Sequence, residues 1–143
     1  MVNVGVFAVN LLIYLQDYTY AALRPEDLCD LVLALDGRIR YAGVYLNENY
    51  TYKLQKNIHQ YFSDEENTIS VKTEVVRASL RRYMAEKVGE PIYAMTQYPK
   101  VKLITMHFMN TNLLLISTEP DANHDDIIRK ALELVKKYAP VLE

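Results

Sequence analysis

Metal-ligating side chains are few in this chain of 143 residues, and they lie far apart. The three histidines, His59, His107 and His124, form neither an HxxxH nor an HExxH pair. Cys29 is the only cysteine, and its place in an apolar helical pattern is typical of a small buried side chain in a reducing compartment. Because a zinc site needs several such ligands at short spacing, the sequence gives no support for one.

The segment DANHD, from Asp121 to Asp125, matches the opening of a calcium-binding loop. An EF-hand loop also needs glycine at its sixth position and glutamate at its twelfth, where this chain has Asp126 and Leu132. Short polar side chains before a helix can instead accept hydrogen bonds from the free N–H groups of its first turn, and carboxylates there meet the positive end of the helix dipole. We therefore expect a helix cap and no metal.

Catalytic motifs are also missing from the sequence. The chain has four glycines, and no phosphate-binding loop of the GxxxxGK[ST] or GxGxxG type can be drawn. No serine lies in a nucleophile-elbow context, and no serine–histidine–acid arrangement is indicated. We expect no catalytic residue and no cofactor, so an enzyme of unrecognised type is the least favoured hypothesis.

Arg77, Arg81 and Arg82 form the most prominent polar cluster. Three guanidinium groups on one predicted helix could bind an acidic partner or an anion in bidentate fashion. The alternative is pairing within the chain, because Glu74 precedes Arg77 by three residues. In the same way, Glu86 follows Arg82 by four residues.

The chain contains 12 tyrosines and no tryptophan. Four tyrosines lie in one predicted hairpin: Tyr41, Tyr45, Tyr50 and Tyr52. They could supply an aromatic binding face, but core packing with the hydroxyl groups at the edge is the default interpretation.

The charges are balanced, with 16 basic and 18 acidic side chains spread evenly along the chain. Nucleic-acid binding needs a basic face, because phosphate neutralisation supplies most of the affinity. We therefore expect no nucleic-acid partner.

Residues 1–23 form an apolar segment, in which 17 residues are apolar and the first 16 carry no charge. No basic residue precedes Arg24, so a signal peptide and an oriented membrane helix both match poorly. The segment could pack on its own domain or on a second subunit, lie upstream of the natural start, or contact a membrane. We expect packing, and a single cytoplasmic domain over residues 24–143.

Hydrophobic periodicity predicts three helices. The first begins at Pro25 and ends at Asp36-Gly37. The second is predicted over Thr68–Val88, with a core-facing stripe of Ile69, Val76, Leu80, Tyr83 and Met84. The third starts near Asn123 and is predicted to bury Ile127, Ile128, Ala131, Val135 and Tyr138.

Dense β-branched and aromatic residues predict five strands. They are Arg38–Leu46, Tyr50–Leu54, Pro91–Tyr98, Val101–Met109 and Leu113–Thr118. Residues Gln55–Asn67 are predicted to connect without regular structure, and short turns elsewhere favour antiparallel neighbours. The order αββαβββα predicts an α+β domain in which three helices flank a five-stranded, mostly antiparallel sheet.

This order resembles the Roadblock/LC7 domain and its profilin-like relatives. A similarity to an uncharacterised archaeal family of Roadblock-like proteins is carried by LCDLVLALDGRIRYAGVYL (Leu28–Leu46), ASLRRYMAEKVGEPIYAMTQYPKVKLITM (Ala78–Met106) and LLLISTEPDANHDDII (Leu113–Ile128). It covers roughly Pro25 to Tyr138 and does not include residues 1–23.

The resemblance implies a homodimer in which the third strand and the second helix meet their symmetry mates. Its interface would include Ile92, Tyr93, Ala94 and Met95. An exposed strand edge is an aggregation liability, and an isologous two-fold contact would cover it.

Family members are typically regulators or scaffolds beside small Ras-like GTPases, and not enzymes. The resemblance therefore implies a non-enzymatic module that binds itself and a protein partner such as a small GTPase. The alternative is a small-molecule sensor of profilin- or PAS-like architecture, with a ligand held between sheet and helix by the tyrosines.

Overall fold

A five-stranded antiparallel sheet organises the chain in the computed structural model, which describes residues 23–142. The helices are α1 (Pro25–Leu33), α2 (Asp64–Arg82), α3 (Ala85–Val88) and α4 (His124–Tyr138), followed by a 3₁₀ turn at Ala139–Val141. The strands are β1 (Ile39–Leu46), β2 (Asn49–Leu54), β3 (Tyr93–Gln97), β4 (Lys102–Phe108) and β5 (Asn112–Thr118). The sheet order is β2-β1-β5-β4-β3, and the predicted α+β fold class is confirmed.

One face of the sheet carries the larger core, which α1 and α4 cover. Alternate residues of β1, β4 and β5, such as Val44, Met106 and Leu114, are fully buried against these helices. Cys29 lies in the same core, where burial raises the pKa of its thiol to about 12. The thiol is therefore packed as a small apolar side chain and is protonated at neutral pH.

The opposite face of the sheet is covered by α2 and has a smaller core. Val71 and Ala78 of α2 are buried against Leu113 and Leu115 of β5, and several tyrosines of the first hairpin surround them. The sheet therefore separates two unequal apolar layers, and only the smaller one lies beside the polar groups described below.

The residues before α4 form the expected helix cap. The side chain of Asn123 accepts a hydrogen bond from the Asp126 amide at 3.1 Å. The Asp126 carboxylate pairs with Arg129 at 2.6 Å, and Asp121 pairs with Arg38 at 2.6 Å. Within residues 23–142, no group of three or more His, Cys, Asp or Glu side chains is placed to hold a metal ion.

Helix α2 differs from its predicted bounds at both ends. It starts four residues early because Ser63 and Glu66 form a capping box, in which each side chain bonds the backbone N–H of the other residue. It ends at Arg82, where the amides of Tyr83 and Met84 bond carbonyls three residues back and tighten the last turn. The prediction of one helix over Thr68–Val88 and of an irregular Gln55–Asn67 was therefore wrong at Asp64–Asn67 and at Tyr83–Met84.

The predicted core-facing stripe of α2 was also wrong, because its five residues face outward. Their side chains are between 54% and 85% exposed: Ile69, Val76, Leu80, Tyr83 and Met84. At about 100° per residue, Val71, Val75 and Ala78 lie on the other side of the helix, and that side packs on the sheet. The helix is apolar on two opposite sides, so periodicity alone could not decide which side meets the sheet.

Residues 1–22 of the predicted apolar segment lie outside the described residues. Leu23 packs against the larger core, and its amide bonds the carbonyl of Val141 at 3.0 Å. No helix within residues 23–142 is long and apolar enough to span a bilayer.

Candidate functional site

A cavity of about 290 Å³ lies between α2, the sheet and the loop of residues 55–63. Leu103 and Thr105 of β4 and Leu115 and Ser117 of β5 contribute to its floor. The loop and α2 contribute the opposite walls, and residues from β1 and β3 line the cavity as well. The cavity therefore lies between sheet and helix, on the side of the sheet that has the smaller core.

Arg40 lines this cavity because β1 is irregular at its start. The pairing register of β1 with β5 shifts between Ile39 and Tyr41, so Arg40 and Tyr41 both line the cavity while Ile39 is buried in the opposite core. The Arg40 side chain is only 9% exposed, and it donates to Glu119 at 2.9 Å. Sequence reasoning missed this residue, because strict alternation would place it on the opposite face from Tyr41.

The same guanidinium holds the loop that covers the cavity. It donates to the carbonyl oxygen of His59, and its central carbon lies 4.4 Å from the centre of the Tyr61 ring. The guanidinium is therefore held by a carboxylate, a backbone carbonyl and an aromatic face. Arg40 therefore positions the loop at residues 59–61.

Glu74 is the centre of a second polar network, on the flank of α2 that faces the cavity. Its carboxylate accepts from Arg81 at 2.6 Å and from the Thr105 hydroxyl at 2.8 Å, and it lies 3.6 Å from Arg77. Burial raises the pKa of Glu74, but the bonds from Arg81 and Thr105 outweigh burial and hold the pKa below its ordinary value. Glu74 is thus an ionised link between α2 and β4.

His107 of β4 extends this network. Its Nε2 atom lies 2.9 Å from a guanidinium nitrogen of Arg81. Since a guanidinium can only donate, Nε2 must accept, and the imidazole proton lies on Nδ1. That Nδ1 atom is buried and has no hydrogen-bond partner among the described residues. Burial, followed by the charge of Arg81, lowers the pKa of His107.

The structure separates the three arginines of the predicted cluster. Arg77 and Arg81 share Glu74 and line the cavity, whereas Arg82 does not line it. Arg82 pairs with Glu90 at 3.3 Å, and not with Glu86 as the sequence suggested. The spacing of the residues identified the Glu74–Arg77 pair, but the partner of Arg82 comes from beyond the end of α3.

The four residues at the implied dimer interface have different surroundings. Ile92 and Tyr93 are 62% and 46% exposed, but Ala94 lines the cavity and Met95 packs against the larger core. Among the described residues, β3 pairs with β4 alone and is an edge strand. Exposed apolar residues follow one another from α2 into β3, and we call them the α2–β3 surface: Ile69, Val76, Leu80, Tyr83, Met84, Val88, Ile92 and Tyr93.

The tyrosines of the first hairpin pack on each other. The ring of Tyr52 lies 5.4 Å from that of Tyr41 and 5.6 Å from that of Tyr50. The Tyr50 hydroxyl is buried without a partner within residues 23–142, and burial raises the pKa of Tyr41. Of the four tyrosines, Tyr41 lines the cavity, and Tyr41, Tyr45 and Tyr50 pack against the smaller core. The Tyr52 hydroxyl donates to Asp64 at 3.4 Å.

The sheet order and the helix placement define an α+β domain, and comparison with solved structures shows that it has the Roadblock/LC7 fold. A Roadblock/LC7 domain from Streptomyces avermitilis is similar with a TM-score of 0.58 at 15% identity, over 79% of this chain and 92% of that one. The gliding protein MglB from Thermus thermophilus is similar with a TM-score of 0.60 at 15% identity, over 81% and 88% of the two chains. A structure titled "MglB with tetrameric arrangement" gives a TM-score of 0.61 at 15% identity, over 82% and 90%. No family model and no curated protein sequence matches the chain.

Proposed function

We propose that this protein is a non-enzymatic interaction module of the cytoplasm that forms a homodimer through its α2–β3 surface. The observation that carries the proposal is the outer side of α2, where Val76 and Leu80 are 60% and 68% exposed. Large contiguous apolar patches on a soluble domain mark interaction sites, and burying one such side chain contributes about 1.5–3 kcal/mol.

A second copy of the chain is the occupant that the geometry favours. The edge strand β3 carries unpaired backbone groups among the described residues, and pairing it with its own symmetry mate would satisfy these groups on both copies at once. The last exposed apolar residue of α2 is Leu80, twelve residues before Ile92, and one two-fold contact would cover helix and strand together. A related fold occurs in a structure described as having a tetrameric arrangement, which fits a fold that assembles.

The assembled dimer would in turn bind a protein partner, and a small Ras-like GTPase is the partner class that the Roadblock resemblance implies. A purified panel of small GTPases from the source genome, loaded with GDP or with a non-hydrolysable GTP analogue, would test this by co-elution on a sizing column. Co-elution that depends on the nucleotide supports the proposal. If no member of the panel co-elutes, the proposal of a GTPase partner is refuted, but the proposal of a dimer is not affected.

Sedimentation of the purified chain tests the dimer itself. We expect a dimer at micromolar concentration, and we expect Leu80→Glu and Ile92→Lys to give monomers whose circular dichroism is unchanged. Lys136→Glu is the matched control, because it introduces an acidic residue at an exposed position of α4, on the other side of the sheet. A monomeric wild-type chain would refute the dimer. If the chain remains a dimer with either substitution, the interface does not lie on the α2–β3 surface.

A further inference from the structure

The cavity is close in size to a small-molecule site, and its lining residues are not those of the α2–β3 surface. Its volume of about 290 Å³ lies at the lower end of the range in which small ligands bind. Apolar side chains form one part of the lining, among them Leu54, Ile58, Phe62 and Val71. All of these groups belong to a single chain, so a ligand would not need the dimer.

Among the described residues, the charged groups around the cavity leave one positive charge without a matching carboxylate. Three arginines and Glu74 line it, and Arg40 is neutralised from outside by Glu119. Arg81 bonds Oε2 of Glu74 at 2.6 Å, and Oε1 of the same carboxylate faces Arg77, so one carboxylate serves two guanidinium groups. Arg77 lies 3.6 Å from the same carboxylate, which is longer than a hydrogen bond, and its side chain is 50% exposed. Arg77 therefore has free donors at the cavity wall.

We propose that this cavity binds a small molecule with an apolar body and a single carboxylate, which Arg77 receives. A guanidinium presents two parallel N–H groups that match a carboxylate, and one net positive charge matches one negative charge. The apolar lining would take the rest of the molecule. Arg40 would act as a positioning residue, because its contacts with His59 and Tyr61 hold the loop over the ligand.

The roles of two arginines on α2 can be separated. Arg77 lines the cavity, whereas Arg82 lies five residues later, pairs with Glu90 and does not line the cavity. Both are arginines on the same helix, so replacing either one removes the same charge. Ser70 also lines the cavity from α2, and a larger apolar side chain at that position would occupy the space of the ligand.

The experiment uses octanoate as the probe and octan-1-ol as an uncharged ligand of the same chain length. Binding of each to the full chain is measured by two-dimensional amide NMR and by calorimetry. We expect octanoate to shift amides around the cavity saturably and to bind at least about tenfold more tightly than octan-1-ol, since charge-assisted hydrogen bonds are the stronger class. Arg77→Gln should weaken octanoate binding about tenfold, and Arg82→Gln should leave it unchanged. Ser70→Leu should abolish binding.

Each contrary outcome overturns the proposal in a defined way. If octanoate and octan-1-ol bind equally tightly, the site does not recognise the carboxylate. If Arg77→Gln and Arg82→Gln weaken octanoate binding equally, the effect comes from the net charge of the protein and not from a contact with Arg77. If only the amide signals of Ile69, Leu80 or Tyr83 shift, the ligand binds at the α2–β3 surface and not in the cavity. Absence of any saturable shift would refute the site. Amide spectra of each free variant would show that it is folded, and Leu80→Glu would show whether the monomer binds equally well.

Discussion

Gly43 of β1 lies beneath the tyrosines of the first hairpin, and a side chain at this position would displace their hydroxyl groups. A Cβ atom at this position would lie 2.8 Å from the Tyr50 hydroxyl oxygen and 2.9 Å from that of Tyr41. Those distances are well inside van der Waals contact, and the Tyr50 hydroxyl is already buried. A methyl group at this position would therefore require the two rings to shift.

We expect Gly43→Ala to lower the free energy of unfolding by about 1–3 kcal/mol, the usual range for overpacking a filled site. Urea unfolding followed by tyrosine fluorescence would measure it. Gly37→Ala is the control, because no atom lies within 4 Å of its new methyl group and the site is exposed. Equal unfolding midpoints for the two variants would contradict the close packing over Gly43.

His107 should make stability depend on pH. Burial and the neighbouring Arg81 lower its pKa in the folded state, so the unfolded chain takes up the proton first as the pH falls. The contribution of the neutral imidazole is therefore complete above the unfolded pKa of about 6.5 and is lost on acidification below it. We expect His107→Gln, which keeps an acceptor for Arg81, to flatten the loss of stability between about pH 7 and pH 5.

His59→Gln provides the comparison for this pH effect. His59 is exposed in the loop of residues 55–63, and its ring packs edge-on against Tyr61. Urea midpoints measured at half-unit steps of pH would give the slope for each variant. Parallel slopes for wild type and His107→Gln would show that the proton uptake belongs to another group.

Helix α2 presents three different sides, and each meets different surroundings. Val71 and Ala78 touch the sheet, Glu74 and Arg77 face the cavity, and Leu80 lies on the exposed outer side. With so few residues fully buried, the helix relies on its ends more than α4 does. The capping box at Ser63 therefore contributes a larger share of its stability than a cap usually does.

We expect Ser63→Ala to lower the free energy of unfolding by about 1 kcal/mol, because it removes the oxygen that accepts from the Glu66 amide. Ser79→Ala is the control within the same helix. The Ser79 hydroxyl only donates to the Val75 carbonyl, which the helix already uses, so its loss should be close to neutral. Thermal unfolding would measure the stability of both variants, and equal midpoints would show that the cap does not contribute to stability.

The sequence allowed some of these features to be predicted and concealed others. Alternation in the strands and the polar run before α4 carried enough information for the fold class and for the Asn123 cap. The pattern Ser63-x-x-Glu66 is that of a capping box, but the surrounding polar run has no helical period and by itself predicts a loop. The side of α2 that meets the sheet and the shift of Arg40 into the cavity depend on packing between distant segments. Local pattern carries no signal for either.

The two faces of the sheet differ in how much apolar core they carry, so one layer of the molecule is packed more extensively than the other. On one side, α1 and α4 close a core that includes fully buried Ile127, Ala131 and Val32. On the other side, α2 closes a small apolar cluster beside a cavity with charged walls. A helix held by few buried contacts opens at lower free energy than the domain unfolds. The proposed dimer would oppose that opening, because covering α2 links its stability to protein concentration.

Native-state hydrogen exchange can therefore test the architecture and the assembly together. In dilute protein, we expect the amides of α2 to exchange through a lower opening free energy than those of α4. Raising the concentration should slow exchange in α2 and β3, because their opening requires dissociation. It should also slow those amides of α4 that exchange only through global unfolding, because the dimer forms from the folded chain and not from the unfolded one. Leu80→Glu should abolish that concentration dependence, while α4 keeps the protection that it has in dilute wild-type protein. Equal protection of α2 and α4 at every concentration would mean that the two halves unfold as one unit. Concentration dependence that appeared in α4 instead would place the interface on the other side of the sheet.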